Sequence, residues 1–85
     1  MDTVQFLLHK YGTMQLEIPQ LREVLKYKSD KALLNAISAG QCPVPTYLIT
    51  GRRRVADVRA VAKYLDDQHA RAVAEYKAQQ ERLGS

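Results

Sequence analysis

Five cations fall within residues 28–57 of this 85-residue chain: Lys28, Lys31, Arg52, Arg53 and Arg54. Asp30 is the one acid among them when Asp57 is counted with the segment it opens. The flanking segments are neutral. Lys10, Arg22 and Lys26 balance Asp2, Glu17 and Glu23, and residues 57–85 carry five cations and five acids. The formal charge of +4 is therefore local. A local positive field attracts a polyanion, and nucleic acid is the polyanion such a patch commonly serves. Asn35, Ser38 and Gln41 lie in the same stretch and add groups that can hydrogen-bond base edges or phosphate.

Other chemistries find little support in the residue types. Cys42 is the only cysteine, so no disulfide is available, and a free thiol fits a reducing cytoplasm. His9 and His69 are far apart and neither has a neighbour at metal-ligand spacing, so neither metal nor cofactor is expected. No nucleophile–base pair, paired carboxylates or phosphate loop is visible, and catalysis is not expected. No apolar run approaches the ~18 residues of a membrane span. The N-terminal residues lack the basic flank and small-residue cleavage site of a signal peptide.

The elements that carry the basic stretch can be read from caps and periodicity. Residues 3–11 read as a short helix with Val4, Phe6, Leu7, Leu8 and Tyr11 mostly on one side and Gly12 as its stop. It is expected to cap the core, with an interaction helix as the other reading. Residues 13–17 read as a strand or an extended linker. Pro19 then opens a helix to about Lys26, with Leu21, Val24 and Leu25 buried. Ser29 has N-cap chemistry for a second helix, Asp30–Ala39, with Leu33, Leu34 and Ile37 inward and Gly40 beyond its end. Asp30, Lys31, Asn35, Ser38 and Gln41 are its outward positions. Two helices joined by so short a turn make a helix-turn-helix.

Pro43 and Pro45 impose an extended path into a hairpin of Thr46–Ile49 and Arg53–Ala56. With Gly51-Arg52 as the loop, Leu48 falls opposite Val55 and both point into the core. The alternative register pairs Leu48 with Arg53. Arg52 is placed at the tip, with Arg53 and Arg54 on opposite faces and all three facing solvent. Asp57 caps a final helix from Val58 to about Arg82. Its first apolar stripe, Val58, Val61, Ala62 and Leu65, is expected to pack on the helix-turn-helix. Beyond Asp67 the stripe thins to Ala72, Val73, Tyr76 and Leu83, and that half is expected to project as a solvated tail or a partner-binding helix. The expected fold class is mainly α with a small β-hairpin wing: a winged helix-turn-helix over residues 1–67, with a projecting helix or tail over 68–85.

In its order of elements the chain resembles the excisionase and MerR-like subgroup of winged helix-turn-helix proteins. Its closer resemblance is to the pyocin activator family of prophage regulators. Members begin Met-Asn-Thr-x-Phe-Leu-Leu-x-x-x-Tyr-Gly, which residues 1–12 approach with one inserted residue. Their Ile-Pro-Leu is similar to Ile18-Pro19-Gln20-Leu21, and their Ala-Gly-x-x-Pro-x-Pro matches Ala39 to Pro45. Their final helix resembles Val58 to Asp67. The wing is shorter than theirs and leans toward excisionases. The resemblance implies a phage or prophage DNA-binding protein in the bacterial cytoplasm, acting as an excisionase, a transcriptional regulator or both. The partners it implies are double-stranded DNA, further copies of the chain on that DNA, and an integrase or RNA polymerase.

On that reading the 30–39 helix enters the major groove. Lys31 and Asn35 read bases, and Ser38 and Gln41 add base or phosphate contacts. Lys28, Ser29 and the helix N-terminus hold phosphate. Arg52 reaches an adjacent minor groove while Arg53 or Arg54 takes phosphate. Val73, Tyr76 and Leu83 are the candidate oligomerisation residues, either in a symmetric dimer or in the head-to-tail row that the excisionase resemblance favours. The rival reading is a small phage factor that binds and blocks a host or phage protein.

Overall fold

Four helices and three short strands make up the computed structural model, which describes residues 1–84, in the order α-β-α-α-β-β-α. Helix α1 (Thr3–Tyr11) begins with a reciprocal capping box. Gln5 N donates to Asp2 Oδ1 at 2.8 Å, and Asp2 N donates to Gln5 Oε1 at 3.3 Å, satisfying donors the first turn leaves open. The helix ends at Gly12, whose φ of 69° lies in the left-handed region that a Cβ penalises. Strand β1 (Gln15–Glu17) runs directly into α2 (Ile18–Leu25), with Pro19 in its first turn. After a turn of four residues, α3 (Asp30–Ser38) starts where Ser29 Oγ accepts from Ala32 N at 3.1 Å. Strands β2 (Tyr47–Thr50) and β3 (Arg53–Asp57) form the hairpin, and β3 passes without a loop into α4 (Val58–Leu83).

The segment read as strand or linker is a strand. The antiparallel sheet has the order β1-β3-β2, with Leu16 opposite Ala56 and Glu17 opposite Val55. Val58 N extends this pairing by donating to Met14 O at 2.8 Å, which fixes the start of α4 against the strand that precedes α2. Leu7, Leu16, Leu21, Leu33, Val44, Ala56, Val58, Val61 and Ala62 form one core that draws on every helix, on β1 and β3, and on the loop after α3. Full burial of a Leu or Val side chain contributes about 1.5–3 kcal/mol, so these few residues are the main cohesion of the fold. The result is a mainly helical protein with a small antiparallel sheet and a long C-terminal helix, winged-helix-like in shape.

Three expected placements are corrected. Phe6 is not on the buried side of α1; it is 55% exposed while Leu7 is buried. Leu34 is not inward either, being 44% exposed on α3. A nine-residue helix with Leu33, Leu34 and Ile37 can turn only part of that set inward, and α3 packs on α2 through the side that carries Leu33. In the wing, Gly51-Arg52 is the loop, but Leu48 lies opposite Arg54 and Tyr47 lies opposite Val55. The register shifts between Leu48 and Thr50, where Ile49 is the extra residue of a bulge. Leu48 is consequently 54% exposed.

The final helix has a neighbour that was not anticipated. Its first turns lie chiefly along α1, where Thr3 Oγ1 donates to Asp66 Oδ1 at 2.6 Å, while Val58, Val61 and Ala62 join Leu21 and Leu33 of the helix-turn-helix in the core. The absence of a β3–α4 loop explains this, because the sheet sets the direction of α4 and α1 is the element beside it. Every described residue from Asp66 onward is exposed, and the molecule reaches 57 Å in its longest dimension.

The β3–α4 junction makes a pH prediction. Asp57 Oδ1 accepts from Arg59 N at 2.7 Å, and both carboxylate oxygens face the Arg59 guanidinium. The side-chain bond to Arg59, then the backbone bond, hold the Asp57 carboxyl below its ordinary value. A depressed carboxyl stabilises the fold above the unfolded-state pKa and loses that contribution as pH falls through the folded-state one. Asp57→Asn keeps a capping oxygen and loses the charge. The melting-temperature gap between the native chain and Asp57→Asn should be widest near neutral pH and should close as acid protonates Asp57. A gap independent of pH would exclude the carboxylate charge as its cause.

Candidate nucleic-acid interface

Within the helix-turn-helix pair, one arginine bridges the turn between the packed helices. Lys26 ends α2 in the left-handed region at φ 66°, a conformation that costs a side-chain-bearing residue energy. Arg22 secures the turn that follows: its Nη1 donates to Tyr27 O at 3.0 Å and to Lys28 O at 3.4 Å, and its Nε lies 3.4 Å from Asp30 Oδ1. Arg22 thus joins the last turn of α2 to the first turn of α3. It also neutralises Asp30, the only acid of the basic stretch.

On α3 the exposed residues are Asp30, Lys31, Leu34, Asn35 and Ser38, with Ala39 at the C-cap. Lys31, Asn35 and Ser38 recur at i, i+4 and i+7 and therefore share one face. Leu34 and Ala39 flank that face. Gln41 stays at the helix end because its N–H donates to Ala36 O at 2.8 Å. Lys28 and Ser29 sit at the opposite end, where the Ser29 oxygen already caps the helix. The side chains of Lys28, Lys31, Asn35, Ser38 and Gln41 make no hydrogen bond or ion pair among the described residues.

The wing arginines, all expected to face solvent, have three different surroundings. Arg52 is exposed at the tip beside Gly51, whose φ is 50°, and has no internal partner among the described residues. Arg53 reaches across to β1, donating from Nε to Glu17 Oε1 at 2.9 Å and from Nη2 to the same oxygen. Arg54 is half-buried, contrary to the expectation that all three face solvent, and donates from Nη1 to Thr46 Oγ1 at 2.9 Å. Strand alternation puts Arg53 and Arg54 on opposite faces, as anticipated. Gln15 Nε2 donates to Tyr47 Oη at 3.0 Å, a second bridge from β1 to the wing. Beneath these bridges Val55 is buried outside the main core, at a groove lined by Tyr11, Thr13, Glu17, Ile49 and Arg53.

The ion pairs sharpen the charge count. With Asp30 matched by Arg22 and Arg53 by Glu17, the cations of residues 28–57 without an acidic partner among the described residues are Lys28, Lys31, Arg52 and Arg54. They lie at the start of α3 and in the wing. No cluster of three His, Cys, Asp or Glu side chains suited to a metal ion occurs among the described residues, and none of their helices is long and apolar enough to cross a membrane. Val73, Tyr76 and Leu83 are exposed on the free half of α4, apart from α3 and the wing, and share one side of that helix at helical spacing.

Glu17, Gln15, Arg22 and Thr46 were not anticipated as supports of the site. Glu17 and Arg53 are thirty-six positions apart, and only the β1–β3 register brings them together. Arg22 had a faint local signal, a cation in the last turn of α2 eight positions ahead of Asp30. Comparison with family models, with curated proteins and with solved structures returned no match to this chain.

Proposed function

We propose that this protein binds double-stranded DNA as a phage or prophage regulator, acting in excisive recombination, in transcription or in both. The observation that carries the DNA-binding reading is the solvent face of α3. Lys31, Asn35 and Ser38 stand together on it, without internal partners, between Lys28 and Gln41. A polar face left unsatisfied by its own protein and bordered by uncompensated cations suits a helix laid in the major groove. Asn35 has the paired donor and acceptor that adenine presents in reverse, and Lys31 can donate to guanine. Lys28 and the N-terminus of α3 take phosphate. Arg52 extends from the wing to the backbone or an adjacent minor groove. The regulatory and excisive roles rest on the resemblance to prophage regulators, and the reading is one of binding rather than catalysis.

Single modules of this size bury roughly 600–1,000 Å² on DNA, which favours several copies acting together. Val73, Tyr76 and Leu83 are the residues through which copies would meet, in a row on direct repeats or as a pair on a palindrome.

The test is binding to duplex DNA across a salt series. The native chain should bind, with log K falling linearly as log salt rises. Arg52→Ala should flatten that slope by about one unit. Arg53→Ala, whose guanidinium is engaged with Glu17, should act mainly on folding stability. Equal slopes for the native chain and Arg52→Ala would remove the wing tip from the interface. Absence of binding to any duplex, with capture of a protein partner instead, would favour the inhibitor reading.

A further inference from the structure

Resting on the DNA-binding reading above, we infer that Leu34 is a specificity-determining residue that reads the 5-methyl group of a thymine beside the base addressed by Asn35. On a helical projection Leu34, Ser38, Lys31 and Asn35 follow one another around the exposed side of α3, at about 100° per residue along the chain. Leu34 is 44% exposed there, although the neighbouring Leu33 is fully buried and Ile37 is packed against the core. The fold thus turns a large aliphatic side chain outward on the one face whose other members are hydrogen-bonding groups. On α3, Leu34 is the only large apolar side chain so exposed.

Major-groove chemistry gives this arrangement a use. Adenine offers a donor and an acceptor that an asparagine can match, and thymine alone among the four bases offers a methyl group to an apolar side chain. Asn35 and Leu34 are consecutive and sit on opposite sides of Lys31 in projection. A helix laid in the groove therefore presents one to a base and the other to a neighbouring pair. Thymine is preferred at that neighbour because cytosine lacks the methyl and leaves the Leu34 side chain against a bare ring edge.

The experiment isolates one methyl. A preferred duplex is selected from a randomised pool with the native chain, and each thymine is then replaced singly by deoxyuridine, which retains every hydrogen-bonding group. At one thymine next to the pair whose replacement is felt through Asn35, deoxyuridine should weaken binding about fourfold, the effect of one methyl removed from water. Leu34→Ala should bind the thymine and deoxyuridine duplexes equally. Because Leu34 is exposed, the variant should keep the native melting temperature, which separates loss of reading from loss of fold. Methyl-independent binding by the native chain, or a thymine preference that survives in Leu34→Ala, overturns this inference and leaves DNA binding standing. Failure of the native chain to bind any duplex overturns the parent reading and this one with it.

Discussion

Leu33→Ala should lower the free energy of unfolding by about 2–5 kcal/mol, whereas Leu34→Ala should change it by no more than about 0.5 kcal/mol. The residues are adjacent and chemically identical, so the contrast measures the rotation of α3 directly. Leu33 is fully buried between α3 and the rest of the core, and its truncation leaves a cavity that a small domain closes only in part. Leu34 has little packing to lose. Equal losses at both positions would mean that α3 is turned about its axis relative to this structure. That would also move Asn35 and Lys31 away from the direction assigned to them. Denaturant titration of the two variants beside the native chain is sufficient.

Asn35→Ala should cost about 1–3 kcal/mol on the preferred duplex and much less on random DNA. A bidentate contact to adenine is lost only where adenine is present, while phosphate contacts from Lys28 and the N-terminus of α3 are indifferent to sequence. Lys28→Ala is the complement and should weaken both duplexes alike. If Asn35→Ala weakens the two duplexes equally, Asn35 contributes to general affinity and the base reader lies elsewhere on α3.

Local chemistry announced much of this fold. Gly12, Pro19, Ser29, Gly40, Gly51 and Asp57 each mark a boundary by a short-range property, such as a tolerated left-handed φ, a missing N–H or a side-chain oxygen that caps a helix. Those signals placed all four helices and the hairpin loop. Long-range pairing decided what was not legible. Residues 15–17 become a strand because β3 offers them an edge, and the Ile49 bulge changes which face Leu48 occupies. Leu34 faces out because α2 chooses among three apolar residues on α3. Strand alternation placed Arg52 at the tip and Arg53 and Arg54 on opposite faces, yet their contacts with Glu17 and Thr46 are ones that no spacing rule encodes. The stretch that bears the charge was plain from composition; the division of labour within it was not.

Dimethyl sulfate footprinting on a preferred duplex tests the central claim most directly, because the reagent modifies guanine N7 in the major groove and adenine N3 in the minor groove. With α3 in the major groove and Arg52 at the wing tip, the native chain should protect guanine N7 over one groove segment. It should also protect adenine N3 in the minor groove beside that segment, and only the second protection should disappear in Arg52→Ala. A saturating complex that leaves every guanine N7 as reactive as in free DNA would contradict the placement of α3.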